Sequence, residues 1–303
     1  MFEKDDITIV VTDSGLGGLS VTADLEKSLR ESGAFKRVTL IFASALADVR
    51  RTYNAMATTR EKIEAFDRAL EGMARRYSPD LILVACNTLS VLLPEVPFVA
   101  AGRVPVVGIV ASGISVLGER VKADPAATAI VMGTPTTIES SAYRKGVLAL
   151  GVQPERVFEQ ACPNLETEIQ ADPSSDVVRN LIEAYADQAR TSIGARAKGP
   201  VVVGLCCSHY GYSRALFQDV LDDVFGRRVE IVDPNLEMSR SLMSHARRGA
   251  FGSTDTVVRV VSRAEITAGE RDAIASVLVR ISPKTAAALR SYEQKMDLFD
   301  TRK

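Results

Sequence analysis

The sequence predicts an α/β fold made of parallel sheets, arranged as two similar units. Three observations lead there. Short β-branched runs alternate with amphipathic stretches along the chain, the order that gives parallel strands joined by crossover helices. The runs are apolar throughout rather than at every second position, which suits strands covered on both faces. Two segments also recur at one spacing. ITIVVTDS (7–14) resembles TAIVMGTP (128–135), and LILVACNT (81–88) resembles VVGLCCSH (202–209). Residues 13 and 134 are 121 apart, as are residues 86 and 207, and a matched offset is the mark of a duplicated unit.

The elements follow in order. ITIVV (7–11) leads through a glycine-rich turn into a helical pattern over 18–31. VTLIFA (38–43) precedes a helical pattern over 60–77, and LILVA (81–85), VPVVGIV (104–110) and TAIVM (128–132) are further strands. A helical pattern over 177–197 leads into VVVGLC (201–206), then VEIVD (229–233) and VVRVV (257–261), the last with a helix behind it. Residues 283–303 read as an added helix with Leu289, Tyr292, Met296 and Phe299 at helical spacing, a stripe suited to core or subunit packing.

Composition narrows the function classes. A chain of 303 residues has room for two domains. A formal net charge of -1 gives no basic field for nucleic acid, and the pairs Arg50-Arg51, Arg75-Arg76 and Arg247-Arg248 read as solvated surface. No apolar run approaches the ~18 residues of a membrane span. The charged start, Met1 to Asp6, lacks the apolar core of a signal peptide, so a cytoplasmic location is expected. Cys86, Cys162, Cys206 and Cys207 form no CxxC spacing, and His209 and His245 are the two histidines. Neither a zinc site nor a disulfide is expected. Gly15, Gly17 and Gly18 do not complete a nucleotide fingerprint, because Ser20 stands at its last glycine. They read as a tight turn that lets backbone approach a small anion closely.

In open parallel sheets, ligands bind beyond the carboxyl ends of the strands. Four such ends are polar here: Asp13-Ser14-Gly15, Cys86-Asn87-Thr88, Thr134-Pro135-Thr136-Thr137 and Cys207-Ser208-His209-Tyr210. Each unit thus offers one cysteine followed by small polar residues. Cys162 and Cys206 lack such followers and read as small buried hydrophobes. At a strand-to-helix turn, backbone N–H groups favour the thiolate. For Cys86 and Cys207 this predicts pKa values within reach of neutrality, from a free value of about 8.5. Ser14, Asn87 and Thr88 are equally suited to helix capping, Asp13 to an Asx-turn, and His209 to a satisfied core position.

The motifs DSGLGGLSV (13–21), CNT (86–88) and CSHY (207–210) resemble those of the aspartate/glutamate racemase family, and of its glutamate racemases most closely. So do GTPTT (133–137), SAY (141–143), ACP (161–163) and VDP (232–234), in the same order over about residues 7–281. The resemblance implies two flavodoxin-like domains related by a pseudo-twofold axis and facing each other across a cleft. It assigns residues 1–104 plus 209–281 to the first, 105–208 to the second, and 282–303 to a C-terminal helical extension. It implies a cofactor-independent enzyme in which one thiolate removes the α-proton and the opposite thiol returns one. Inversion needs an acid and a base on opposite sides of the carbon, and cysteine can be either. By the same resemblance Cys86 and Cys207 are catalytic, with Asp13 beside the first and His209 beside the second. Asn87, Thr88 and Ser208 would hold the α-carboxylate or ammonium, and Ser14 the side-chain end. Tyr53, Asn54, Thr134 and Thr137 complete the implied binding set. The implied partner is a small amino acid, glutamate first, with D-glutamate supplied to peptidoglycan; a homodimer is a further expectation.

Three departures bear on the substrate. The family's Pro-Tyr-Gly segment, whose backbone helps bind the glutamate side chain, is matched by Thr52-Tyr53-Asn54, preceded by Arg50 and Arg51. After Cys162 the usual acidic residue is displaced: Gln170 lies nearest its spacing, and Glu166 and Glu168 are the other candidates. Ser208 replaces a threonine. These changes keep open the same chemistry on aspartate, another amino acid, a hydantoin or maleate. A small-molecule binding protein with two α/β lobes is the alternative outside enzymes; it would not need two cysteines at matching strand ends.

Overall fold

The computed structural model describes residues 4–48, 52–194, 199–244 and 249–300. Arg50-Arg51, Arg247-Arg248 and His245 lie outside them. The chain starts with β1 (Asp6–Asp13), α1 (Leu19–Ser32), β2 (Arg37–Ser44), α2 (Thr59–Tyr77) and β3 (Leu81–Val84). The short helices α3 (Asn87–Ser90) and α4 (Pro97–Ala100) lead to β4 (Val106–Gly108) and α5 (Ile109–Ala123). Next come β5 (Thr128–Gly133), α6 (Pro135–Glu139), α7 (Ala142–Ala149), β6 (Val157–Ala161), α8 (Leu165–Ala171) and α9 (Asp176–Ile193). The remainder is β7 (Val201–Cys206), α10 (Arg214–Phe225), β8 (Glu230–Val232), α11 (Pro234–Ser244), β9 (Asp255–Ser262), α12 (Ala268–Leu278), α13 (Pro283–Arg290) and β10 (Glu293–Gln294).

The strands form two sheets, ordered β10-β9-β2-β1-β3-β4 and β6-β5-β7-β8, and every pairing is parallel. Taking each unit's strands in chain order, both sheets run second, first, third, fourth. The 121-residue offset is thus matched by topology: β5 stands to the second sheet as β1 to the first, and β7 as β3. Every side chain of β3, β5 and β7 is buried. A fully buried aliphatic side chain contributes about 1.5–3 kcal/mol, which explains the continuous apolar runs. One face of the first sheet packs on α1, α12 and α13, the other on α2. The second sheet is held between α9 and α10 on one face and α5 and α7 on the other.

Two features differ from the sequence reading. Val106–Gly108 pairs with β3, and Glu230–Val232 pairs with β7. Sheet membership therefore changes after β4 and after β8, not at 104 and 208; short strands take their sheet from a distant neighbour's edge. Over the described residues, to 300, the tail is not one helix. It is helical over Pro283–Arg290 and then pairs as β10 with β9. Leu289 joins the core on one face of the first sheet and Phe299 the core on the other, while Met296 is exposed. The apparent stripe came from packing against both faces in turn. Among the described residues no helix is long and apolar enough to cross a membrane.

Candidate active site

The carboxyl ends of β1 and β3 carry the first cysteine loop. Cys86 follows β3 and is buried, and its Sγ lies 3.1 Å from the Ser14 hydroxyl. Burial pushes its thiol up to about 12; the charge of Asp13 adds to the rise and the Ser14 hydroxyl opposes it. Cys207 follows β7 and is likewise buried. Burial pushes it well above the ordinary thiol value, and Glu166 is the charged neighbour that contributes most. Both shifts run opposite to the expectation of values near neutrality. The helix after Cys86 is four residues long, too few aligned peptides to offset the loss of hydration.

Asp13 is fully buried and holds the two cysteine loops together. Its Oδ1 accepts from the Gly15 N–H at 2.9 Å, the Asx-turn, and its Oδ2 accepts from the Ser208 hydroxyl at 2.7 Å. The glycine-rich turn fits against this contact: a Cβ on Gly17 would collide with Ser208 and with the His209 backbone. Its close approach is thus to the second cysteine loop, whereas the sequence reading gave it to a small anion.

Asn87, Thr88, Thr134 and Thr137 follow the ends of β3 and β5. Asn87 Oδ1 accepts from the Tyr143 hydroxyl at 2.5 Å, while the buried Asn87 Nδ2 has no partner. The Thr88 and Thr134 hydroxyls are 2.8 Å apart, and those of Thr134 and Thr137 3.0 Å apart. Thr134 also caps α6, so it does serve as a cap, while Asn87 and Thr88 do not. Tyr53 points away: it is buried against Phe66, its hydroxyl bonds Ala45 O at 3.2 Å, and burial raises its pKa.

Ser14 and His209, the polar neighbours of Cys86 and Cys207, line a cleft of about 170 Å³ together with Asn54, Glu166, Gln170 and Glu270; the two sulfurs lie behind them. Asn54 spans it. Its Nδ2 donates to Glu166 Oε1 at 2.8 Å, and its Oδ1 accepts from Thr136 at 2.9 Å, which in turn accepts from Lys62 at 2.8 Å. Glu166 Oε2 is buried without a partner. Of the acidic candidates after Cys162, Glu166 lines the cleft, and Gln170, at the more usual spacing, lines it too and faces His209. Glu168 is not among the residues lining it. A larger cavity of about 530 Å³, between α2 and the tail at Arg68 and Phe299, is lined by none of the predicted site residues. Sequence reasoning missed Lys62, Thr136 and Glu270. Thr136 stood inside a quoted motif, whereas Lys62 and Glu270 sit in ordinary amphipathic helices and gave no signal.

Fold and site together define an α/β enzyme with one cysteine at the corresponding strand end of each of two parallel sheets. Residues 9–236 match the Asp/Glu/Hydantoin racemase family, and the chain belongs to that family; it is an isomerase of the racemase class. A glutamate racemase of Synechococcus sp. is 29% identical over 231 residues, 76% of either chain. Among solved structures, glutamate racemase from Francisella tularensis in complex with D-glutamate is similar with a TM-score of 0.67 and 21% identity, covering 96% of both chains. A Bacillus anthracis glutamate racemase matches with a TM-score of 0.65 and 20% identity, over 91% of this chain and 96% of that one. At those identities the structures speak for the fold. Family membership sets aside the non-catalytic binding protein.

Proposed function

We propose that the protein interconverts the enantiomers of a free amino acid without a cofactor, with Cys86 and Cys207 as opposed base and acid. The observation that carries this reading is the placement of the two cysteines at equivalent ends of β3 and β7, each against a polar side chain that lines the cleft, Ser14 for Cys86 and His209 for Cys207. In either direction one thiolate takes the α-proton and the other thiol delivers a proton to the opposite face. The unpartnered Asn87 Nδ2 supports a carboxylate-binding role for that residue, and preorganised donors there would stabilise charge developing on the carboxylate.

Glutamate is the substrate that the relatives' names suggest, with D-glutamate for peptidoglycan precursors as the use of the product. One observation favours a second reading, another amino acid handled by the same cysteines. The cleft end that would receive the side chain holds the Glu166 carboxylate, with one oxygen unpartnered. A second carboxylate there is repelled, whereas an amide or ammonium is welcomed. A panel of L-amino acids in deuterated water, scored for α-deuterium, tests both readings. Exchange with glutamate supports the first, and exchange confined to neutral or basic side chains supports the second. No exchange with any member overturns the two-cysteine function.

A further inference from the structure

His209 Nε2 lies 3.0 Å from Gln170 Oε1. Which nitrogen of a neutral imidazole carries the proton is set by such contacts, and here the network leaves one answer. Gln170 Oε1 also accepts from the Leu16 backbone N–H at 2.9 Å, and Gln170 Nε2 donates to Glu270 Oε1 at 2.6 Å. A peptide N–H can only donate and a carboxylate accepts, so the Gln170 amide is fixed at both ends. Its oxygen must face His209, and Nε2 of the ring must be the N–H. Glu270 is itself held by the capping box of α12, its Oε2 accepting from the Thr267 N–H and hydroxyl. The other ring nitrogen, Nδ1, then carries a lone pair and stands 3.9 Å from Cys207 Sγ.

We propose that Gln170 and Glu270 are positioning residues that lock His209 as its Nε2–H tautomer, so that Nδ1 receives the proton of the Cys207 thiol. The inference rests on the two-cysteine reading given above. The proton moves from Sγ to Nδ1, leaving thiolate and imidazolium; the thiolate then takes the substrate's α-proton and becomes thiol again. Cys86 gives its proton to the carbanion and is left as thiolate with the imidazolium still protonated; the reverse direction starts from that state, Cys207 giving its proton to the carbanion and the imidazolium returning one to sulfur. A buried thiolate alone is costly. Paired with an imidazolium it adds no net charge to the site, and the 3.9 Å contact can shorten when substrate fills the cleft. Burial lowers the His209 pKa, which keeps the ring free to accept. A glutamate at position 170 would favour the imidazolium before any proton had left sulfur; the amide avoids this.

The test is nitrogen NMR of the full-length protein with labelled histidine. The chain has two histidines, so His245→Gln assigns the spectrum. The expected result at neutral pH is a protonated Nε2 and an unprotonated Nδ1 for His209. Gln170→Glu, nearly isosteric, should raise the His209 pKa and protonate both nitrogens. Gln170→Leu should lower kcat by about 10- to 100-fold, part of the ~10²–10⁴-fold that a positioned acid–base group supplies, with KM changing less. An Nδ1–H tautomer in the wild type overturns the lock, as does a Gln170→Glu spectrum and titration unchanged from wild type. If the tautomer is as expected but no amino acid is racemised, the function fails and the lock stands. If racemisation needs Cys207 but the tautomer is wrong, the lock alone fails.

Discussion

The Ser208 hydroxyl donates to Asp13 Oδ2 at 2.7 Å, a contact between residues 195 apart in sequence. It ties the loop of Cys207 to the strand end beside Cys86. Asp13 raises the pKa of both thiols by its charge, so one buried carboxylate couples the two halves of the site mechanically and electrostatically.

Cys86→Ala and Cys207→Ala are each expected to abolish racemisation, while Cys162→Ala and Cys206→Ala retain most of it. Members of an acid–base pair act as a unit, so losing one costs nearly as much as losing both. Polarimetry on the purified variants reads this, and substantial turnover by either of the first two contradicts the assignment.

With both thiols held up by burial, alkylation of the native protein near neutral pH should be slow at all four cysteines. Asp13→Asn removes a charge that raises Cys86, and should speed its modification. Mass spectrometry of partly alkylated protein gives the order, and rapid labelling of Cys86 in the wild type at pH 7 would show the thiolate to be already formed.

The same shift makes stability depend on pH. The folded protein keeps the Cys86 proton up to about 12, whereas the unfolded chain releases it from 9.0. The folded state thus binds more protons in that window, and stability falls as pH rises through it. The contribution is full below pH 9 and lost towards 12. Urea unfolding of wild type and Cys86→Ser at pH 8 and 10 isolates it: the variant should lose less between the two. Equal losses would mean that Cys86 is not held protonated.

Glu166→Gln should favour glutamate over glutamine relative to the wild type, by roughly 10-fold or more, since two carboxylates ~4 Å apart repel by about 1 kcal/mol in water and about 4 kcal/mol at the partly screened dielectric of a protein surface. Competition kinetics with the two amino acids gives the ratio. An unchanged ratio would remove Glu166 from side-chain selection and return the cleft to the glutamate reading.

Enantiomers have equal free energy in water, so kcat/KM must be the same in both directions. With a cysteine on each face, product formed early in deuterated water carries deuterium and unreacted substrate little. Strong early labelling of unreacted substrate from both enantiomers would point to a single shared base.

The sequence by itself determined the strand and helix alternation, the repeated unit and the two cysteines at strand ends. Those signals are local: an apolar run, a β-branched bias, a polar follower one residue on. Asp13, Ser14, Asn87, Thr88, Thr134, Ser208 and His209 could be placed at strand ends for the same reason, each lying within a few residues of an apolar run; the roles given to them came from the family resemblance. Only the tertiary structure decided what these groups meet. Gln170 reaches Glu270 across 100 residues and Asn54 reaches Glu166 across 112, and no short-range pattern encodes such pairs. The direction of the thiol shifts was also out of reach, because desolvation depends on every atom packed around the sulfur and outweighs the few backbone dipoles that a motif can announce.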